Sequence, residues 1–252
     1  MKIAADRFTK ELEQLHRDGY VLFEGVLNAE ETAQIKQGIM AAFEGKDERV
    51  MLQGPMFEHG EVFEELVDHP VISEFIEEVL GQDCQLSSMN GMRTQHHNAV
   101  SKWHVDEALF FPLPEGVELD ARIQLPVYLM NALYYLEDVT EELGPTQVVP
   151  GSHRAGKDLG FTEHIESYNG QGPVSILAKA GDCLVFNSQV WHRGAPHMSH
   201  SPRYVQQVIY RKKFIVPHLS HDNNVFYKAP EDVIARANPR RRRLLGHNSQ
   251  IF

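Results

Sequence analysis

Cysteine is nearly absent from this chain of 252 residues. Only Cys84 and Cys183 occur, and neither belongs to a CxxC pair. A zinc knuckle or a dithiol redox pair is therefore not expected; both cysteines lie in apolar strand-like runs and read as small core residues, as in a reducing compartment. No apolar run approaches the ~18 residues of a membrane span, and the opening MKIAADRFTKELEQ is too polar for a signal peptide. A cytoplasmic protein without membrane contact is the expectation. Basic character is also lacking: the net charge is −11, with Lys and Arg at 24 against 35 Asp and Glu. A general footprint for nucleic acid is thus missing, and no nucleic-acid partner is expected. The exception is Pro239-Arg-Arg-Arg-Arg243, which reads as an ion-paired surface before it reads as an anion site. There is no internal repeat, low-complexity tract or long linker, so one domain is expected over 1–252.

What is present falls into two textures. The first 82 residues carry helical spacing. Phe8, Leu12 and Leu15 share a helix face that ends at Gly19. Asn28 and Glu31 have the spacing of a capping box, opening a helix with Ile35, Ile39, Met40 and Phe43 and stopping at Gly45. A third helix follows Pro70, with Val71, Phe75, Ile76 and Val79 on one side. From residue 83 to about 216, short β-prone runs alternate with turns: 84–95, 122–136, 146–152, 174–178, 182–190 and 203–216. The last alternates as a half-buried strand would. The segments do not alternate strand with helix, so a doubly wound sheet is disfavoured. The expected class is mainly β, a sandwich or barrel with helices packed outside and a C-terminal extension over 217–252.

Fourteen histidines make local motifs ambiguous. HxD occurs twice, at His16/Asp18 and His104/Asp106. The first sits where a helix ends. The second lies in an extended segment, where period-two alternation puts both side chains on one face. Two imidazoles and one carboxylate on one face of a metal leave the other face open. His192, after the apolar run 183–186, is the best third ligand. Trp191-His192 is expected to continue that strand. Arg203, eleven residues on, has the planar fork that grips a carboxylate with two hydrogen bonds. His96 and His97 form a further pair near the site.

Four stretches in order, HRDGYVLFEGVLNAEE, WHVD, LEDVTEELGPTQVVPGSHR and GDCLVFNSQVWHRGAPHMSHSPR, together resemble the phytanoyl-CoA dioxygenase family. The C-terminal PRRRRLLG also looks like bacterial members. The resemblance implies a double-stranded β-helix (jelly-roll, cupin-like) core and an Fe(II)- and 2-oxoglutarate-dependent oxygenase using O2 on a small-molecule substrate. It implies that His104, Asp106 and His192 hold the iron and that Arg203 binds the distal carboxylate of 2-oxoglutarate, with Thr146 supplying a hydroxyl nearby. Lys102 stands where members often carry a glutamine that touches the co-substrate; it either supplies charge there or points to solvent. Asp106 fills a position that is small in related halogenases, so hydroxylation or another oxidation is expected. Gly151–Arg154 reads as a structural turn, and 155–173 as a lid or binding loop. Arg93 and Gln95 either face the pocket or are ordinary strand residues. Trp103, Phe110, Phe111, Tyr134 and Trp191 could line an apolar pocket, but core packing is the default for each. The rivals are a non-catalytic binding protein that keeps the fold and a zinc hydrolase using the same three ligands.

Overall fold

A computed structural model describes residues 7–46, 51–53, 56–96, 99–106, 111–157, 159–165, 167–215 and 229–247. Helix α1 (Thr9–Asp18) ends at Gly19, whose φ of 86° is left-handed and whose amide donates to the Leu15 carbonyl at 2.8 Å. Glycine is needed here twice over. A Cβ would also lie 2.3 Å from Val190 Cγ2 and 2.6 Å from His153 Nδ1. Strand β1 (Tyr20–Phe23) follows. The expected capping box opens α2 (Ala29–Ala42): Asn28 Oδ1 accepts from the amides of Glu30 and Glu31, and Glu31 Oε2 accepts from the Asn28 amide at 2.7 Å. Ile35 and Ile39 are fully buried, whereas Met40, expected on the same face, is 49% exposed. The helix ends at Ala42, before the Gly45 turn. Short β2 (Met51–Gln53) and α3 (Val62–Val67) precede α4 (Pro70–Leu80), which starts with proline at its first position, as the fixed φ of that residue favours.

The remaining elements are β3 (Gln85–Thr94), β4 (Leu129–Tyr135), β5 (Thr146–Val148), β6 (Val174–Ile176), β7 (Cys183–Asn187), β8 (His192–Gly194), β9 (Arg203–Arg211), α5 (Glu231–Arg236) and α6 (Pro239–Leu244). They form two antiparallel sheets, in the orders β1-β7-β4-β9-β3-β2 and β6-β5-β8. This is the jelly-roll arrangement. The six-stranded sheet is buried on both faces. Tyr134, Val208 and Tyr210 meet Ile35, Phe63 and Phe75 of the helices. Leu133, Tyr135 and Val205, on the opposite face, meet Val148, Ile176, Leu184 and Phe186. Burying each such side chain contributes about 1.5–3 kcal/mol. Strand β9 was expected to be half-buried. It is buried on both faces because helices cover the side that would otherwise meet water.

Two further expectations change. Strand β4 starts at Leu129, not Arg122; Arg122 is an exposed loop residue paired with Asp120. His192 does not continue β7. The chain turns over Ser188–Val190, and β8 joins the other sheet through β5. The arginine run of α6 is ion-paired, as expected. Arg240 bonds Glu77 at 2.6 Å and Arg241 bonds Asp68 at 2.6 Å. No helix among the described residues is long and apolar enough to cross a membrane.

Candidate metal centre

Residues 103–106 run extended and are fastened at successive points. Trp103 exchanges backbone bonds with Thr162, His104 exchanges them with His192, and the Asp106 amide donates to the Ser188 carbonyl at 3.1 Å. Alternation then sends Val105 toward the cluster of Trp103, Val149 and Trp191, and His104 and Asp106 to the opposite side. Across β5 and β8, Val148 faces His192 in register. Trp191 is fixed by its amide, which donates to Ser152 Oγ at 2.8 Å. The Gly151–Arg154 turn is therefore structural, with Gly151 left-handed at φ 77°.

The result is a convergent triad. Asp106 Oδ1 lies 3.4 Å from His192 Nε2 and 3.7 Å from His104 Nε2. One ligand atom from each of the three lies within 4.8 Å of the others. The imidazole orientation is set from behind. His104 Nδ1 meets the Lys102 carbonyl at 2.8 Å, and His192 Nδ1 meets the Val190 carbonyl at 2.9 Å. A carbonyl only accepts, so each Nδ1 carries the hydrogen and each Nε2 turns inward. Burial, with His192 alongside, pushes His104 down to about 4, against the pull of Asp106. His104 is therefore neutral near pH 7, as a metal ligand must be. Burial alone would raise Asp106 and lower His192, but their mutual attraction reverses both directions. A cation bound between them takes the place of a proton.

A second polar feature faces the same interior. Arg203 begins β9 and is 4% exposed. Its Nη2 donates to Thr94 Oγ1 at 3.3 Å, while Nε and Nη1 are buried without a hydrogen-bond partner. Thr146, two residues before Val148 and so on the His192 side of the small sheet, accepts from the Tyr135 hydroxyl at 2.9 Å. Its own hydroxyl hydrogen is left for another acceptor. Glu137 already accepts from the Tyr204 amide and pairs with Lys36 at 3.1 Å. Desolvation depresses the Arg203 guanidinium. A buried cation with unused donors fits an incoming carboxylate.

Other expected residues lie elsewhere. The Lys102 ammonium is on the exposed side, 3.5 Å from Glu163, and only its carbonyl supports the site. Solvent stabilises the cation there more than the partly buried cleft does. Arg93 faces away, bonding the Lys46 carbonyl and covering the Phe43 ring at 4.5 Å, so its neighbour Thr94 meets Arg203 instead. Tyr134 packs in the core against the helices, its default expectation, and its neighbour Tyr135 faces the triad side. Phe111 is 50% exposed; Phe110 and His97 lie outside the described residues. His96 lies beside His200, with ring centroids 4.8 Å apart and planes tilted by 38°. In the 155–173 loop, Phe161 takes a left-handed φ of 56° and stacks on His104 at 5.3 Å with planes 7° apart. Sequence reasoning passed over Phe161, Tyr135, Thr94 and Asn131, which donates to Asp106 Oδ2 at 2.7 Å. The available signal for Asn131 was a polar residue inside an otherwise apolar run, LMNALYY.

Comparison with known proteins agrees with this arrangement. A model of the phytanoyl-CoA dioxygenase (PhyH) family matches residues 15–205. The dioxygenase aneA of Aspergillus aculeatus is 29% identical over 139 residues, 54% of this chain and 44% of that protein. The L-proline trans-4-hydroxylase of Streptomyces griseoviridis is 28% identical over 150 residues, 56% of this chain and 53% of that one. The chain thus spans about half the length of the curated relatives it matches. Among solved structures, the epimerase SnoN in complex with Fe3+, alpha ketoglutarate and nogalamycin RO superposes with a TM-score of 0.63 at 19% identity, covering 85% of this chain and 92% of that one. That likeness shows the shared fold. The match over most of its length means that this chain belongs to the phytanoyl-CoA dioxygenase family.

Proposed function

We propose that the protein is a non-haem Fe(II)- and 2-oxoglutarate-dependent dioxygenase that oxidises a C–H bond of a small metabolite or a lipid-like acid. One observation carries the reading: a 2-His-1-carboxylate triad and a buried, under-bonded arginine lie in the same jelly-roll interior. Each half asks for a different part of one ligand set. Two neutral imidazoles and one carboxylate suit iron(II) and leave coordination positions open. The free donors of Arg203 suit the far carboxylate of a dicarboxylate. SnoN, similar in fold, is described with Fe3+ and alpha ketoglutarate, and two relatives are named dioxygenase and hydroxylase. In this reading 1–252 acts as one unit; helix, strand and C-terminal residues meet in one apolar cluster.

His104, Asp106 and His192 would hold the metal, and Arg203 with Thr146 and Thr94 the co-substrate tail. When bound, iron and 2-oxoglutarate supply oxygen activation, with succinate and carbon dioxide as co-products. The chain's own part is orientation and exclusion of water. Carbonyls 102 and 190 lock the imidazoles, and the two tryptophans and Val149 seal the back of the site. Phe161 covers the face of His104. Because Asp106 occupies its position with a carboxylate, oxidation fits and halogenation does not.

The experiment is a screen of candidate metabolites for stimulated succinate release by the Fe(II)-loaded protein, with His104→Ala as control. Stimulation by at least one compound, lost in the variant, supports the assignment. Release that persists in His104→Ala, or no release with any compound despite bound iron and 2-oxoglutarate, counts against it and favours a binding protein on the same fold.

A further inference from the structure

The two oxygens of Asp106 have different partners. Oδ1 faces the imidazoles, while Oδ2 accepts from Asn131 Nδ2 at 2.7 Å. The same Asn131 nitrogen donates to Ser188 Oγ at 2.9 Å. Asn131 Oδ1 accepts from Gln207 Nε2 at 2.8 Å, and Gln207 Oε1 accepts from Asn90 Nδ2 at 2.7 Å. Asn131 is 0% exposed, Ser188 1%, Asn90 4% and Gln207 6%. Three side-chain amides therefore cross the middle of the large sheet, from β3 through β9 to β4, and end on one carboxylate oxygen.

Such a line needs a reason. Amides buried in a sheet cost stability unless each is bonded, and apolar side chains of similar size would pack there without that condition. The line also has one direction. An ionised carboxylate only accepts, so Asn131 must present its NH2 to Asp106 and its carbonyl to Gln207. Gln207 must then present its NH2 to Asn131 and its carbonyl to Asn90. Every link donates toward Asp106. Ser188 fastens the other end of the geometry: its carbonyl holds the Asp106 amide and its hydroxyl holds Asn131.

Resting on the iron site proposed above, we infer that Asn131, held by Gln207 and Asn90, is the positioning residue of the metal carboxylate. It occupies Oδ2, so Asp106 offers a single oxygen to the metal. A carboxylate binding through one oxygen takes up one coordination position and leaves the others for co-substrate and oxygen. Gln207 and Asn90 act by preventing the Asn131 amide from turning over, which would set its carbonyl against Oδ2.

The test uses the protein of residues 1–252 stripped of metal, with cobalt(II) alone as probe. Affinity and the visible absorption of bound cobalt are measured for wild type, Asn131→Leu and Gln207→Met, and the unfolding midpoint of each is measured with chelator present. Wild type should bind one cobalt. Asn131→Leu should bind about 10–100-fold more weakly, the range found when an outer partner of a metal ligand is removed, with a changed cobalt spectrum. Gln207→Met, which matches the volume and touches no ligand, should fold and still lose several-fold in affinity; it decides the matter if Asn131→Leu does not fold. Variants that bind within twofold of wild type, or that lose only stability, overturn the inference while the metal site stands. Failure of wild type to bind cobalt overturns the metal site itself.

Discussion

His104 and His192 are joined through their backbones. The amide of each donates to the carbonyl of the other, both at 3.0 Å, and their rings lie 4.2 Å apart. The separation of the two imidazoles is thus fixed by an antiparallel pair between distant segments, and no bound ion is needed to set it. Removing one imidazole should leave this pair intact. His104→Ala is expected to lower iron(II) affinity at least a hundredfold while the metal-free protein keeps its circular dichroism spectrum. Loss of folded structure together with metal binding would show that the ring, not the backbone, holds the segment.

Arg203 carries a prediction about chemistry. Lysine retains the charge but lacks the planar fork. Arg203→Lys should raise the apparent KM for 2-oxoglutarate about tenfold or more, with a smaller change in kcat. Initial rates at varied 2-oxoglutarate check this. An unchanged KM would remove the arginine from the co-substrate site.

His153 predicts a pH dependence. It is 9% exposed, and burial pushes it down to about 4, although the His16 carbonyl favours its charged form. In the unfolded chain it titrates near 6.5. Between these values the unfolded state binds the extra proton, so stability falls as pH drops from about 6.5 to 4 and is unaffected by this group above that window. The full contribution is about 3 kcal/mol. Urea melts of the metal-free protein across pH 4–7 should show the loss, and His153→Gln should flatten it. An equally steep profile in the variant would assign the slope to other groups.

The C-terminal helices predict a coupling. Glu64 has a side chain only 2% exposed, and Arg236 Nε bonds it at 2.9 and 3.0 Å. Arg236→Ala strands that carboxylate, leaving Arg241 at 3.7 Å. The arginine is 40% exposed, so the variant should be less stable than wild type, by less than when a fully buried pair is broken. Adding Glu64→Met should recover most of the loss. A double variant no more stable than Arg236→Ala alone would contradict the pairing.

Much of this was legible in the sequence, because local signals survive without context. Asn28 with Glu31 and Gly19 marked helix ends that hold. The extended spacing of His104 and Asp106 put both on one face, and His192 and Arg203 reach the same interior. Parity was harder to read. With both faces of the large sheet buried, alternation carries no contrast between apolar and polar. Tyr134 and Tyr135, or Arg93 and Thr94, then look alike, and only the packed helices reveal which of each pair faces the triad. The turn at Ser188–Val190 was hidden because Val190 and Trp191 resume the apolar character of Cys183–Phe186. Lys102 was read from a position in a motif, while its carbonyl, which any residue would supply, does the supporting.

The central claim is that metal and arginine act on one ligand. Its most direct test is calorimetric titration of 2-oxoglutarate into the protein without oxygen, with and without Fe(II). Saturable binding of one equivalent that appears only with iron present, and that is lost in His192→Ala, is the predicted result. Equal binding to the metal-free protein, or none to the iron-loaded protein, would contradict the account.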